Sequence, residues 1–216
     1  MAKLGLLVVL TEPPPEREAE FNAWYDTEHI PERLALPGFL SARRWVADAP
    51  PGSGKYLATY ELLSRDVLSS PEYLDRYANP TPWTRRCLGS ARVFRRWACE
   101  QTTPGDALPH GMGHALYFDA MDVAPADEAR LHALWDDALL PRLACVPGVL
   151  RVRRYTDPEA HPRFLVLCEL ADASVCAHPD WRQALGSPAA RQLGALGRDF
   201  ERIERLFHAY QPEARA

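Results

Sequence analysis

Short apolar runs alternate along the chain with amphipathic segments, and this alternation predicts strands and helices in a regular order. Residues 4–10 form the first apolar run, and the segment that follows starts with Pro and Glu residues and then repeats its apolar positions with helical spacing. Pro-Gly and Gly/Pro-rich turns separate the next two runs. The predicted elements are strand 4–10, helix 15–36, strand 39–46, strand 56–62, helical region 71–88 and strand 92–99. This order is βαββαβ.

The second half of the chain repeats the pattern of the first. Residues 21–45 align with residues 131–155 at a constant offset of 110, and the offset becomes 108 from the third strand onward. The matched positions include Pro31 with Pro141 and the Pro-Gly turn at 37–38 with its copy at 147–148. The second set of predicted elements is strand 114–118, helix 125–146, strand 149–155, strand 164–170, helical region 179–196 and strand 201–210. A repeat of this length indicates two similar structural units.

The repeat predicts the fold class: α+β, with two tandem ferredoxin-like βαββαβ repeats. Residues 1–100 form the first repeat, residues 101–110 a linker by composition, and residues 111–216 the second repeat. The runs at 4–10 and 164–168 are apolar at consecutive positions, whereas a sheet with one wet face alternates apolar and polar residues. We therefore expect both sheet faces to be covered, with the two sheets packed together as an intramolecular dimeric α+β barrel.

Charge and composition exclude several classes of function. The formal net charge is −4, so no basic field would attract nucleic acid or an anionic membrane. No apolar run approaches the length of a transmembrane helix, and the N-terminal run lacks the features of a signal peptide. The five cysteines form no CxxC motif, and no metal-ligand spacing or phosphate-binding loop occurs. These features predict a cytoplasmic protein without a metal or other cofactor, whose partner is a small-molecule substrate.

One segment carries a family resemblance. Residues 24–39, WYDTEHIPERLALPGF, resemble the W/Y…H…P…PG pattern of EthD-like members of the dimeric α+β barrel superfamily. Related barrels include cofactor-free polyketide cyclases, quinone-forming monooxygenases, muconolactone isomerases and haem-dependent enzymes. The resemblance implies a ligand pocket between the helices and the concave sheet, and it leaves the reaction open. Barrels of this kind are usually homodimers, and a homodimer of the intramolecular barrel is a further expectation.

The repeat tests which residues of this motif have a function. His29 aligns with Leu139, which belongs to an apolar stripe of the second helix, so we expect His29 to face the sheet. A buried histidine carries a desolvation cost that packing does not require, and its pKa suits a general base. Tyr25 lies one turn earlier on the same face. Glu28, which aligns with Ala138, is a candidate to orient His29, act as a second acid–base group or lie in solvent. The alternative for His29 is a core histidine bonded to a backbone carbonyl.

The remaining candidates would bind substrate. Trp24 and Trp83 are candidate pocket walls, and Trp83 could equally anchor a loop on the core. Asp26 recurs as Asp136, which favours a structural role over substrate binding. Arg43 and Arg44 point to opposite faces of their strand, so one of them, assigned here as Arg43, would enter the barrel or pocket. There it would bind substrate or, as the recurrence of both arginines in the second repeat favours, pair structurally with an acid such as Glu61.

The leading hypothesis is a cofactor-independent enzyme that acts on a small apolar or aromatic carbonyl compound. His29 would abstract a proton, and the overall reaction would be an isomerisation, cyclisation or elimination. Two alternatives stay open: a haem enzyme of the same fold with His29 as the axial ligand, and a barrel that binds a small molecule without catalysis. Only the first repeat carries the candidate set, so we expect the second repeat to be a structural half.

Overall fold

The structure is a computed structural model that describes residues 3–212, except for the side chains of Val93 and Phe94. The chain divides into two compact units. Unit 1 contains the residues up to 100 together with the C-terminal segment from Tyr210, and unit 2 contains residues 101–209. Each unit has a four-stranded antiparallel sheet with helices against one face.

Unit 1 has the strand order β4-β1-β3-β2. Its strands are β1 (Gly5–Glu12), β2 (Phe39–Val46), β3 (Tyr56–Leu62) and β4 (Arg92–Thr103), the last of which continues three residues into unit 2. Its helical elements are a 3₁₀ turn (Pro15–Arg17), α1 (Glu18–Trp24), a π-helical turn (Tyr25–His29), α2 (Ile30–Leu34), a 3₁₀ turn (Arg65–Ser69), α3 (Pro71–Ala78) and α4 (Pro82–Ser90).

Unit 2 repeats this order of elements, with its strands arranged β8-β5-β7-β6. Its strands are β5 (Ala115–Met121), β6 (Val149–Thr156), β7 (Phe164–Leu170) and β8 (Arg202–Ala209). Its helical elements are a 3₁₀ turn (Pro125–Asp127), α5 (Glu128–Ala133), a π-helical turn (Leu134–Leu139), α6 (Leu140–Ala144), a 3₁₀ turn (Ala173–Ala177), α7 (Pro179–Leu185) and α8 (Pro188–Leu196).

The strands agree with the burial pattern that the sequence predicts. Every residue of β3, β5 and β7 is buried, so both faces of these strands are covered. The predicted bounds of β2, β3 and β7 match the structure, and the two units share a register shift near the start of β2 and of β6. On the helix-covered face of unit 1, aromatic side chains dominate the core.

The long first helix of each unit is interrupted by a π-helical turn, which the sequence pattern did not predict. In unit 1 the Ile30 N–H bonds to the Tyr25 carbonyl five residues earlier, and in unit 2 Leu140 bonds to Trp135 in the same way. A proline follows directly in both, at Pro31 and at the matching position of unit 2. Proline has no N–H and its ring collides with the carbonyl four residues earlier, and a widened turn relieves this clash. The proline therefore shapes the helix interior and not its end.

The predicted linker is an ordered part of unit 2. Residues 101–103 extend β4, and the Gln101 amide bonds both the N–H and the carbonyl of Ala107. Further along, the Glu169 carboxylate accepts hydrogen bonds from the backbone N–H groups of His110, Gly111 and Gly113. Tyr210 also differs from the prediction, because it lies beyond β8 and belongs to unit 1.

Candidate functional site

His29 ends the π-helical turn and lies buried on the helix-covered face of the unit 1 sheet. Its side chain is 8 % exposed, and the aligned Leu139 of unit 2 is fully buried in the core. The imidazole Nδ1 is buried and has no hydrogen-bond partner among the described residues. The alternative that His29 is a core histidine bonded to a backbone carbonyl therefore does not hold for Nδ1.

The π-helical turn decides what covers the His29 ring. Residues five apart in a regular α-helix point about 140° from each other, so Trp24 and His29 would diverge. The π-helical hydrogen bonds run from residue i to i+5 and bring such residues into line. The ring centroids of Trp24 and His29 are accordingly 4.4 Å apart, and the Tyr25 ring meets His29 edge-on at 5.1 Å.

Two further polar residues share this environment, and sequence analysis missed both. Tyr60 of β3 lies edge-on to His29, with 6.3 Å between ring centroids. The buried Tyr60 hydroxyl has no hydrogen bond of standard geometry among the described residues. It nevertheless lies close enough to the Tyr25 hydroxyl to affect the pKa of Tyr25. Arg33 is 6 % exposed, and its Nη1 is likewise buried without a partner in the described part of the chain. We call His29, Arg33 and Tyr60 the polar cluster.

The comparison between the two halves that singled out His29 would also have found these residues. Arg33 aligns with Leu143 at offset 110, and Tyr60 aligns with Cys168 at offset 108. Leu143 and Cys168 are both fully buried in the apolar core of unit 2. Unit 1 thus places three polar side chains where unit 2 has only apolar packing, so the fold itself does not require them.

The electrostatics of the polar cluster keep His29 neutral. The pKa of His29 is lowered to about 3, mainly by burial and also by the nearby positive charges of Arg33 and Arg44. Burial raises the pKa of Tyr25 and that of Tyr60. The resting site therefore contains a neutral imidazole, two protonated phenols and two guanidinium groups, an arrangement that favours negative charge on a bound molecule.

Glu28, a predicted partner of His29, instead supports Trp24. The Thr84 hydroxyl accepts a hydrogen bond from the Trp24 indole N–H (3.0 Å) and donates one to the Glu28 carboxylate (3.0 Å). The Thr81 hydroxyl donates a second bond to the same Glu28 oxygen at 2.5 Å. Adjacent helix residues point in different directions, and Glu28 accordingly reaches the start of α4. Through Thr84, Glu28 thus helps to fix the Trp24 ring, which lies against His29.

Asp26 holds Arg44 and not Arg43. Arg44 donates to Asp26 Oδ1 at 2.9 Å and to the Asn22 side chain at 2.5 Å, and its guanidinium stacks on Tyr25 at 4.5 Å. In unit 2, Arg154 makes the same contact with Asp136, which supports a structural role for Asp26. Arg43 lies on the other face of β2, stacked on Trp45, because neighbouring strand residues alternate faces. The structure thus brings Arg44 to the site in place of Arg43.

Trp83 packs against the aromatic core of unit 1, but in a helix and not in a loop. It occupies the first turn of α4, which begins after the Thr81 side chain caps the Thr84 N–H. The Trp83 indole nitrogen is buried and has no partner among the described residues. The site thus has Trp24 over His29 and a second indole with an unused donor nearby in the same core.

The corresponding region of unit 2 is apolar. Trp135 and Leu139 are buried in its core. A surface groove of about 380 Å³ lies elsewhere in unit 2, lined by Pro141, Arg142, Cys145, Val146, Asp180, Gln183 and Ala184.

Within residues 3–212 no group of three His, Cys, Asp or Glu side chains is placed to hold a metal ion. None of the described helices combines the length and hydrophobicity that crossing a membrane requires.

Neither a family model nor a curated protein matches the sequence, so the EthD-like resemblance is not shown. Solved structures match over nearly the whole chain. A chlorite dismutase variant from Candidatus Nitrospira defluvii superposes with a TM-score of 0.64 at 11% identity, covering 98% of this chain and 93% of that one. An anthrone oxidase-like protein gives 0.63 at 15% identity, covering 98% and 92%.

A presumed monooxygenase from Fusobacterium nucleatum gives a TM-score of 0.63 at 9% identity and covers 97% of this chain and 94% of that one. These proteins belong to the dimeric α+β barrel superfamily. At these identities the similarity shows the fold alone, and it agrees with the predicted α+β class.

Proposed function

We propose that the chain is an enzyme of small-molecule metabolism in which His29 abstracts a proton from a small aromatic or apolar carbonyl compound. The observation that carries the proposal is the polar cluster: its three residues stand where unit 2 has apolar core residues, and His29 Nδ1 and Arg33 Nη1 are buried without a partner among the described residues. Buried polar groups without partners are rare in proteins and are concentrated at functional sites. Enzymes among the structural neighbours support small-molecule chemistry on this fold.

The surroundings of His29 suit a reaction that creates an anion. A neutral imidazole with a free ring nitrogen can accept a proton, although its low pKa makes it a weak base in the resting site. As a proton leaves the carbon next to a carbonyl, negative charge develops on the carbonyl oxygen. The guanidinium of Arg33 and the Tyr60 hydroxyl would stabilise this charge, and the new anion would in turn raise the pKa of His29. Trp24 and Tyr25 would supply an apolar, aromatic wall.

The residues around His29 do not fit haem ligation. A histidine that binds haem iron through one ring nitrogen normally donates the other N–H to a fixed partner. Nδ1 of His29 has no such partner within the described residues, two guanidinium groups lie nearby, and the ring is covered by Trp24. An absorption spectrum of the purified protein tests this directly, and a Soret band that disappears in His29→Ala would restore the haem hypothesis.

Proton exchange measures the proposed step without knowledge of the final product. Cyclic aromatic ketones such as anthrone and 2-tetralone would be incubated with the protein in D₂O, and loss of the signal of the acidic methylene protons (C10 of anthrone, the α-carbons of 2-tetralone) followed by ¹H NMR. We expect His29→Leu, which introduces the residue of unit 2, to slow the exchange by about 10²–10⁴-fold. His208→Leu, which removes an exposed histidine, is the matched control and should not slow it.

Two results would contradict the proposal. One is exchange by His29→Leu at the rate of the unaltered protein, and the other is the absence of protein-dependent exchange for every ketone of the panel. The second result would favour the barrel that binds a ligand without catalysis. Oxygen consumption in the same samples separates an isomerase from an oxidase, because an oxidation of such a carbanion would begin with the same proton transfer.

A further inference from the structure

Arg33 is a buried cation without a counter-ion among the described residues of unit 1. The other basic side chains of its helical segment and neighbourhood have acidic partners: Arg44 pairs with Asp26 and Arg76 pairs with Glu32. Within residues 3–212 the structure gives Arg33 no ion pair, and its closest recorded contact is the Tyr73 ring, 5.4 Å from the guanidinium carbon. Burial of an unpaired charge is costly, so keeping this side chain buried needs a compensating gain.

The surroundings of Arg33 show what would compensate it. Tyr73 stacks on Phe39 at 5.9 Å, and Trp24 and Tyr25 form the other aromatic surfaces of the same core. No carboxylate is among the partners that shape the pKa values of His29, Tyr25 and Tyr60, whereas Arg33 contributes to all three. A molecule that satisfies this region needs an aromatic body and an oxyanion that accepts from a guanidinium group.

We infer that the site takes aromatic carboxylates and that Arg33 binds their carboxylate group. This inference rests on the site of the proposed function and narrows its substrate class to aromatic carbonyl compounds that carry an acid. A guanidinium group donates two parallel hydrogen bonds to a carboxylate, which gives orientation as well as affinity. The bound acid would then be fixed relative to His29, one helical turn before Arg33.

Binding of matched acids and amides tests the inference independently of turnover. The probes are benzoate, 1-naphthoate and anthracene-2-carboxylate, each compared with its neutral carboxamide by isothermal titration calorimetry. We expect at least one carboxylate to bind at least tenfold more tightly than its amide. Arg33→Leu, which installs the residue found at Leu143, should remove this preference and leave amide binding within about twofold.

Arg76→Gln is the matched control, because it removes an exposed cation from the same unit without touching the polar cluster. It should keep the preference for the acid. The inference is overturned if no carboxylate of the series binds more tightly than its amide, or if Arg33→Leu, folded by circular dichroism, retains the preference. Tight acid binding combined with unchanged proton exchange in His29→Leu would uphold this inference and reject the proposed catalytic role, so the two can fail separately.

Discussion

Replacement of His29 by leucine should make the protein more stable, and increasingly so as the pH falls. In the folded protein the pKa of His29 is lowered to about 3, mainly by burial, whereas an unfolded chain would give it an ordinary value near 6.5. The folded state therefore binds this proton less readily than the unfolded state does. The stability that belongs to the neutral histidine is fully present above pH 6.5 and is lost as the pH falls toward 3.

The magnitude follows from these two pKa values. Between pH 7 and pH 5 the unfolded state gains about 2 kcal/mol of proton-binding free energy that the folded state does not gain. His29→Leu also removes a buried nitrogen without a partner, which is worth about 1–3 kcal/mol at any pH. The free energy of unfolding of the variant should thus exceed that of the unaltered protein by about 1–3 kcal/mol at pH 7 and by about 3–5 kcal/mol at pH 5.

Urea unfolding followed by circular dichroism at pH 5, 6 and 7 measures both quantities. The result to compare is the difference in unfolding free energy between His29→Leu and the unaltered protein. All other titrating groups are present in both proteins, so their contributions cancel in this difference. His208→Leu, which removes an exposed histidine in the same way, is the matched control variant. Parallel curves of unfolding free energy against pH for His29→Leu and the unaltered protein would refute the reasoning, since His29 would then titrate equally in both states.

The other predictions concern packing, ion pairs and the pH dependence of turnover. Leu139→Ala should cost about 2–5 kcal/mol as a core cavity, and His29→Ala should cost less, as measured by urea unfolding. Asp26→Asn should cost about 1–3 kcal/mol by leaving the buried Arg44 guanidinium poorly paired, and Asp136→Asn should cost less because Asp136 is more exposed. For a ketone that the enzyme turns over, kcat/KM should be constant between pH 5 and 8, because a base with a pKa of about 3 is already deprotonated there. A rise of kcat/KM centred near pH 6.5 would contradict this.

Sequence patterns predicted the elements of this protein better than they predicted its site. Strand bounds such as 56–62 followed from apolar runs between Gly/Pro turns, and the alignment with Leu139 correctly indicated that His29 is buried. The stacking of Trp24 on His29 could not be predicted from helical periodicity, because it depends on the π-helical hydrogen bonds before Pro31. These bonds follow from a steric clash that no hydrophobic pattern records.

Sequence analysis missed Arg33 and assigned Arg43 in place of Arg44 to the site, for different reasons. An arginine in a helix is normally solvated, so burial of Arg33 contradicts a sound general expectation, and only its alignment with Leu143 would have revealed it. For Arg43 and Arg44, the prediction that their side chains lie on opposite faces of the strand was correct, but this alternation does not show which of the two faces the helices. Which of them faces the helices depends on the register with β3, where Arg44 lies opposite Ala58 of the helix-covered face.

The position of Tyr210 has a consequence for how the protein is made. Its ring lies 3.9 Å from the Arg44 guanidinium, its backbone N–H bonds to the Arg44 carbonyl, and its hydroxyl reaches Asp26. Unit 1 is therefore completed by a residue that is synthesised only after the whole of unit 2. A fragment that stops at residue 100 would contain the whole polar cluster but would lack the Tyr210 ring, which lies nearer to the Arg44 guanidinium than the rings of Tyr25 and Tyr56 do.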